Sequence, residues 1–193
     1  MTKKSLKSAM SVFCLLVGAV SFCGDDNVIV NGDFEEGNYD WLMHWKSPKG
    51  YVNAVVGEEI SRPGGRRCLM VRFDTPRAGT WMQYPYVYWP FDDRLKLPGN
   101  GVTAVKYKLV YHYKFEGKAP GKLTLRARLY KKDNKDRLDI NAETIPVTDG
   151  KWHEVKKEMT VPAGYSLVCF DIEYKPSGKG TGVLCLDDLY FGK

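Results

Sequence analysis

The sequence predicts an all-β protein folded as one two-sheet antiparallel sandwich, and three observations lead to this class. The chain has 193 residues, which suits a single domain with a short addition. Beyond residue 24 its apolar residues recur with a period of two rather than 3.6. Clusters of glycine, proline and asparagine separate the alternating segments, and about nine strands divided in this way favour two packed sheets over two domains.

Three segments show the alternation most clearly, namely 105–115, 123–130 and 168–174. In the first, Tyr107 and Leu109 share one face while Lys106 and Lys108 share the other. One apolar and one polar face are typical of antiparallel strands that cover a core on one side. Six further strand candidates are 28–31, 51–57, 67–73, 79–89, 152–161 and 182–191.

Residues 1–22 have the pattern of a secretory signal rather than of the fold. Lys3, Lys4 and Lys7 precede an uncharged apolar stretch at 9–22, which is shorter than a membrane-spanning helix. These lysines supply half of the net charge of +6, so the rest of the chain does not have the charge of a generic nucleic-acid binder.

Two forms of processing remain open at the end of this segment. The signal is removed after Ser21, or Cys23 becomes the lipidated first residue of a bacterial lipoprotein and residues 23–27 form a short acidic tether. Both forms predict an exported protein, extracellular or in the cell envelope, with the β-sandwich at 28–193. A membrane contact is expected only through a lipid on Cys23.

Three cysteines follow the signal, Cys68, Cys169 and Cys185, and each lies inside a predicted strand. They show no Cys-x-x-Cys spacing, which makes zinc binding and thioredoxin-type chemistry poor explanations. We expect buried thiols that pack as small apolar groups. A disulfide between two of them remains open in an exported protein.

The two ends of the chain carry the motifs of a known fold. The opening motif is NGDFEEG at 31–37, followed by Trp41 and Trp45, and the closing motif is LCLDDLYF at 184–191. Between them, DGKWHE is followed by MTVP within 149–162. Together they resemble carbohydrate-binding modules of the galactose-binding-like jelly-roll superfamily, in the style of families four, nine, sixteen and twenty-two. The resemblance covers residues 27–192 and implies a jelly-roll sandwich.

The same resemblance implies a structural calcium ion between the first and last strands. Its ligands become Glu35, backbone carbonyls within Ser61–Arg67, and Asp187, with Asp188 as the substitute for Asp187. Carboxylate and carbonyl oxygens suit Ca²⁺, which takes six to eight hard ligands. The alternative is that these carboxylates are solvated turn or edge residues.

Sugar sites in this superfamily often use the polar face of one sheet, where aromatic rings stack on pyranose rings. By alternation, that face offers His112, Lys114, Arg126, Arg128, Tyr130, Asp171 and Glu173. The aromatic strand at 79–89 adds Trp81, Gln83 and Tyr84. The sequence places Lys114, Arg126 and Arg128 on neighbouring strands, which predicts a preference for acidic glycans. The alternative is a solvated polar face that keeps exposed strands soluble.

No motif predicts catalysis. The three histidines lack metal-ligand spacing, and the sequence has no G-x-S-x-G, P-loop or H-E-x-x-H motif. Asp171 and Glu173 are more simply interpreted as polar residues of one strand face than as a catalytic pair. The sequence therefore predicts non-catalytic polysaccharide binding. The alternatives are a cell-surface structural or protein-interaction module and, third, a small glycosidase or lyase.

Overall fold

The computed structural model describes the greater part of the chain after residue 25. The described residues are 26–37, 42–46, 52–73, 79–84, 96–97, 102–118, 121–132, 136–175, 177 and 181–193. For 42–46, 52–55, 73 and 79–84 the description covers the backbone alone.

Ten strands occur in this part of the chain, and they form two five-stranded sheets. The first sheet has the order β1-β4-β9-β6-β7 and the second has the order β2-β3-β10-β5-β8. The strands are β1 (Leu42–Lys46), β2 (Val52–Gly57), β3 (Cys68–Phe73), β4 (Gly79–Tyr84), β5 (Val105–Gly117), β6 (Lys122–Lys131), β7 (Arg137–Thr144), β8 (Trp152–Val161), β9 (Tyr165–Lys175) and β10 (Gly182–Gly192).

The predicted fold class is confirmed, because both sheets are antiparallel and the described residues contain no helix. Two details differ from the sequence prediction. Residues 28–31 form turns rather than a strand, and β1 and β7 were not predicted. β7 does alternate apolar residues, namely Leu138, Ile140 and Ala142, with polar ones, but the charged residues around them obscure the pattern.

The core lies between the inward faces of the two sheets. β5 contributes Tyr107, Tyr111 and Phe115, which are all fully buried. The rings of Tyr107 and Phe191 stack with centroids 4.9 Å apart, and pairs of this kind contribute about 0.5–1.5 kcal/mol beyond their buried area. The aromatic residues of 105–115 are therefore core residues, as their alternation indicates.

The chain crosses from one sheet to the other directly after β5. Gly117 has a φ of 139°, and a side chain there would overlap with the backbone of Thr181 and Gly182. Only glycine tolerates both the positive φ and the close approach. β6 lies in the first sheet, whereas β5 lies in the second.

Residues 26–37 are held against β10 by isolated hydrogen bonds instead of a ladder. The Val28 N–H donates to the Phe191 carbonyl at 2.8 Å, and the Leu189 N–H donates to the Gly32 carbonyl at 2.9 Å. Phe34 adopts a φ of 55° and is fully buried in the core. This anchoring carries the following residue, Glu35, to the neighbourhood of Asp187 in the middle of the closing strand.

The three cysteines Cys68, Cys169 and Cys185 are buried, as expected, and their thiols are free. Cys68 and Cys185 lie with Met70 in a small apolar cluster on the outward side of the second sheet. Trp152 packs against this cluster and is only partly buried. Burial raises the pKa of Cys169 to about 11, so its thiol stays protonated at neutral pH.

Candidate functional site

The outward face of the first sheet carries arginines and carboxylates from three neighbouring strands. We call this cluster the arginine face; its members are Arg126, Arg128, Asp139, Asp171 and Glu173. Arg126 of β6 stands opposite Asp171 of β9 and Asn141 of β7, and Arg128 stands opposite Asp139. Residues directly opposite on antiparallel strands point to the same side of a sheet. Arg126 and Arg128 of β6 therefore lie between polar residues of β7 on one side and of β9 on the other.

Asp171 anchors the arginine face from below. It is fully buried although it belongs to the outward face. Its Oδ2 accepts a hydrogen bond from Arg126 Nη1 at 3.3 Å and a second from Arg128 Nη2. A buried carboxylate is costly unless its charge is matched, and the two guanidinium groups match it here. The sequence placed Asp171 among the residues of the sugar site, and the structure shows this fully buried carboxylate fixing both arginines.

The rim of the arginine face presents fixed donors and acceptors to solvent. Arg126 Nε donates to Asn141 Oδ1 at 3.0 Å, and its Nη2 lies 3.5 Å from Glu173 Oε2. Arg137 donates to both oxygens of Asp139, at 2.8 and 2.5 Å. These hydrogen bonds hold the pKa of Asp139 below its ordinary value.

The charged groups on this face are ion-paired with one another. Three arginines, including Arg137, meet the three carboxylates of Asp139, Asp171 and Glu173. Lys175 Nζ adds a contact of 2.9 Å with Glu173, which leaves an excess of one positive charge. The guanidinium groups of the face are therefore already paired, although its charge is slightly positive. Arg137, Asp139 and Asn141 were missed because β7 was not recognised as a strand in the sequence.

Tyr130 lies at one end of the arginine face and is half-buried. It stands opposite Arg137 in β7 and Leu167 in β9. Burial raises the pKa of its phenol to about 12, so the hydroxyl is neutral at physiological pH. A neutral phenol can both donate and accept a hydrogen bond at the edge of the face.

The aromatic strand contributes β4 to the same sheet. The backbone register aligns Trp81 with Glu173, Gln83 with Asp171, and Tyr84 with Phe170. The side chains of Trp81, Gln83 and Tyr84 lie outside the described residues. Their part in sugar binding stays a prediction.

His112 and Lys114 do not join the arginine face, which corrects the sequence prediction. They lie on β5 in the second sheet, whereas Arg126 and Arg128 lie on β6 in the first. The prediction treated consecutive strands as neighbours, but the crossing at Gly117 separates them. Lys114 Nζ pairs with Glu116 at 2.6 Å.

His112 belongs to a different environment on the second sheet. Its Nδ1 lies 3.7 Å from Asp188 Oδ2 and its Nε2 lies 4.0 Å from Glu154 Oε1. Burial and the nearby Arg62 lower the pKa of this imidazole. A sugar contact at His112 therefore has no geometric connection with the arginine face.

A second candidate site lies where the two ends of the chain meet. It is a pocket of about 280 Å³, which we call the carboxylate pocket; its lining residues are Asp33, Glu35, Arg62, Gly64, Gly65, Arg66, Asp187 and Asp188. Glu35 Oε1 accepts the backbone N–H groups of Arg66 at 2.6 Å and Arg67 at 3.0 Å. Burial alone would raise the pKa of Glu35, but these two N–H groups hold it below its ordinary value.

Oxygen atoms converge beside Gly65 in the carboxylate pocket. A Cβ built on Gly65 would lie 3.2 Å from Glu35 Oε1, 3.6 Å from Asp187 Oδ2 and 3.8 Å from the Arg62 carbonyl oxygen. Two carboxylates and one carbonyl are the donors that Ca²⁺ prefers. The donor set fits the ion that the resemblance implies, with Arg62 as the residue of Ser61–Arg67 that supplies the carbonyl.

The balance of charge in the carboxylate pocket is acidic. Asp187 is 2% exposed, and burial together with Asp33 and Glu35 raises its pKa to about 7, although Arg62 opposes this rise. Arg62 Nη2 pairs with Asp188, and its Nε lies 3.8 Å from Asp187 Oδ2. Among the residues that the structure describes, no three His, Cys, Asp or Glu side chains are grouped as metal ligands. A cation here therefore needs backbone oxygen or water as well.

The predicted signal and Cys23 lie outside the described residues. Within the described part of the chain, no helix is long and apolar enough to cross a membrane.

Comparisons with known proteins bear on this geometry. No protein-family model matches the chain, and no curated protein matches it. Solved structures do match. A family 16 carbohydrate-binding module is 18% identical, with a TM-score of 0.58 over 86% of this chain and 100% of the module. The chain has the fold of carbohydrate-binding modules.

Two other solved structures also match the chain. A family 22 xylan-binding domain of Paenibacillus barcinonensis Xyn10C is 17% identical, with a TM-score of 0.50 over 83% of this chain and 96% of that domain. The enzymatically active domain of tailspike protein 4 from bacteriophage CBA120 is 11% identical, with a TM-score of 0.60 over 86% of this chain. This chain spans only 21% of that tailspike domain. At such identities the likeness establishes a shared fold, and function has to be argued from the site.

Proposed function

We propose that the chain is a non-catalytic polysaccharide-binding module whose binding surface is the arginine face. The observation that carries this proposal is the fixed order of donors and acceptors above Asp171. Two arginines held by one buried carboxylate cannot rearrange freely, so their outer N–H groups, with Asn141 and Glu173, present a preset pattern. A preset pattern suits sugar hydroxyls, which donate and accept at fixed spacings.

The ion pairing of the arginines on the arginine face favours neutral sugars. A carboxylate or sulfate would compete with Asp171, Asp139 and Glu173 for guanidinium groups that are already paired. A hydroxyl needs no such exchange, because it can bridge a paired donor and acceptor. Solved modules of this fold include a xylan-binding domain, which supports a neutral polysaccharide as the ligand. The preference for acidic glycans therefore needs different residues.

Catalysis at the arginine face is disfavoured by the pairing of its acids. A catalytic carboxyl must reach the substrate, whereas Asp171 is fully buried and its Oδ2 is held by Arg126 and Arg128. The alternative function, a structural or protein-interaction module, does not require the donors and acceptors at the rim of the arginine face to bind a ligand.

Affinity electrophoresis tests the proposal with the whole exported protein. Gels contain xylan, mixed-linkage β-glucan or galactan, each at low and at high salt. We expect retardation by at least one neutral polymer and little change with salt, because hydrogen bonds to hydroxyls are screened weakly. Normal mobility in every neutral polymer, with the protein folded, would contradict the proposal and favour the protein-interaction alternative.

We also propose that the carboxylate pocket holds a structural Ca²⁺ ion. The convergence of Glu35, Asp187 and the Arg62 carbonyl beside Gly65 supports this, as does the acidic balance that an added cation would relieve. The ion would tie residues 26–37 and the loop before β3 to β10. Its part is structural, since the arginine face lies on the other sheet.

Export remains part of the proposal on the strength of residues 1–22. N-terminal sequencing of the product made in a bacterium should begin after Ser21 or at a modified Cys23. Cys23→Ala should release the protein from membranes only in the lipidated form, because stable anchoring needs about two acyl signals. A product that keeps Met1 would contradict export.

A further inference from the structure

A basic pocket opens on the outward face of the second sheet, remote from the arginine face. It has a volume of about 490 Å³ and is formed by β5, β8, β10 and the residue after β10. We call it the lysine pocket; its lining residues are Lys108, Val110, Lys156, Lys157, Glu158, Tyr190 and Lys193. It belongs to neither of the sites described above.

The floor of the lysine pocket is apolar and aromatic. Val110 stands opposite Tyr190 in the register between β5 and β10, and Gly192 stands opposite Lys108. A side chain at Gly192 would overlap with the Tyr190 hydroxyl and with its Cζ. The absence of that side chain lets the Tyr190 ring extend along the strand over Gly192. The Tyr190 hydroxyl donates to the Lys193 carbonyl at 3.2 Å, which fixes the ring.

The walls of the lysine pocket carry positive charge. Four lysines of β5 and β8 lie on or beside it, against only two glutamates; the lysines are Lys106, Lys108, Lys156 and Lys157. Glu158 Oε1 forms an ion pair with Lys106 Nζ at 2.8 Å, and Glu154 Oε2 forms one with Lys156 Nζ at 2.7 Å. Two positive charges therefore exceed the acidic ones on this part of the face.

Solubility of an edge strand explains part of this pattern but not all of it. β8 is an edge of the second sheet, and lysines on edge strands discourage pairing with another chain. That role requires neither an apolar floor nor an aromatic ring laid along the strand. The combination of a fixed aromatic surface with surrounding ammonium groups points instead to a ligand that has both a ring face and a negative charge.

We propose that the lysine pocket is a second saccharide site, which binds a pyranose bearing a carboxylate or sulfate group. The ring face of the sugar stacks on Tyr190, and its anionic group lies among Lys108, Lys156 and Lys157. This assigns the acidic-glycan preference to lysines of the second sheet. It extends the proposed function but depends on residues that the arginine face does not share.

The test measures binding of the whole protein to polygalacturonate, dextran sulfate and neutral dextran at low and moderate salt. The first two polymers separate carboxylate from sulfate as the anionic group. We expect binding to at least one of them, weakening with salt, and none to dextran. The double variant Lys108→Gln/Lys156→Gln should reduce affinity about tenfold, since each lost pairing contributes on the order of the energy of an exposed ion pair. Its control, Lys122→Gln/Lys131→Gln on the first sheet, removes the same charge and should have little effect.

Tyr190 distinguishes a saccharide site from general attraction of polyanions. Tyr190→Ala changes no charge and should reduce affinity about fivefold through lost stacking, whereas Tyr190→Phe keeps the ring and should bind normally. Melting temperatures confirm that each variant is folded. Equal affinity of Tyr190→Ala and wild type would overturn the proposal, as would equal effects of the two lysine double variants. Arg126→Ala should leave polygalacturonate binding unchanged; a loss there would assign the acidic ligand to the arginine face and also overturn the proposal.

Discussion

Asp171 and Asp187 are two buried aspartates on central strands, one in each sheet, and they have opposite surroundings. Asp171 receives hydrogen bonds from two arginines, so its negative charge is fully matched. Asp187 has one arginine nitrogen at 3.8 Å and two acidic neighbours, and its pKa is raised to about 7. The same side chain at the same depth is therefore an anchor for two arginines in the first sheet. In the second sheet its partners are one arginine nitrogen at 3.8 Å and the backbone N–H of Asp188 at 2.8 Å.

This contrast indicates what each outward face is built to do. In the first sheet the matched charges hold a rigid array of polar groups, which is suited to recognising hydroxyls. In the second sheet the excess of acid around Asp187 suits a cation, while the excess of lysine near β8 suits an anion. Burial alone does not decide the role of a carboxylate; the number of positive partners does.

Removal of the Asp171 charge should have the largest effect on stability. Asp171→Asn removes the fully buried counter-ion of Arg126 and Arg128, which keep only longer contacts with Asp139 and Glu173. The loss of two hydrogen bonds between charged groups should cost at least about 3 kcal/mol. Denaturant unfolding measures the loss. Glu158→Gln, in an exposed pair with Lys106, is the control and should change stability by less than about 0.5 kcal/mol. Similar small effects of both variants would show that Asp171 is not an anchor.

Calcium should stabilise the folded protein through the other aspartate, Asp187. An ion bound only by the folded protein stabilises it by about 2.7 kcal/mol at a hundredfold excess over its Kd. Millimolar Ca²⁺ should therefore raise the melting temperature of protein first stripped with EDTA. Asp187→Asn should abolish the rise, whereas Glu158→Gln should keep it. If Ca²⁺ leaves the melting curve of the stripped wild type unchanged, the carboxylate pocket does not bind calcium.

Stability without metal should depend on pH through Asp187. The folded protein keeps this carboxyl protonated up to about pH 7, whereas the unfolded chain releases the proton near the ordinary value of 3.8. The folded state thus binds more protons between these values, so its stability falls as the pH rises through that window. In EDTA, wild type and Asp187→Asn should be similarly stable near pH 4, and wild type should be the less stable of the two at pH 8. Comparing the two proteins cancels the contribution of His112, which both contain. A constant difference across the range would contradict the environment assigned to Asp187.

The sequence predicted the fold and the core residues of this protein better than it predicted which residues share an outward face. Period-two alternation identified the inward residues of β5, β6 and β9, because each of these strands has one face on the core. The opening and closing motifs indicated that Glu35 and Asp187 meet. Alternation also gave the outward residues of each strand correctly, including Arg126, Arg128 and Asp171.

The grouping of strands into faces could not be predicted in the same way. β5 pairs with β10 and β8 while β6 pairs with β9 and β7, and most of these partners are distant from β5 and β6 in sequence. The burial of Asp171 depends on two arginines from a neighbouring strand, and alternation reports only the side of the sheet. The lysine pocket depends on Gly192, whose effect on Tyr190 follows from packing rather than from any motif.

The most direct test of polysaccharide binding at the arginine face uses isothermal titration calorimetry with the neutral polysaccharide that retards the wild type. Arg126→Ala removes the guanidinium that links Asn141, Asp171 and Glu173, while Arg72→Ala removes an exposed, ion-paired arginine from the second sheet. Hydrogen bonds to charged groups contribute about 1.5–3 kcal/mol, so Arg126→Ala should weaken binding at least about tenfold and Arg72→Ala should leave the Kd unchanged. Equal affinities of the two folded variants would contradict the assignment of the sugar site to the arginine face.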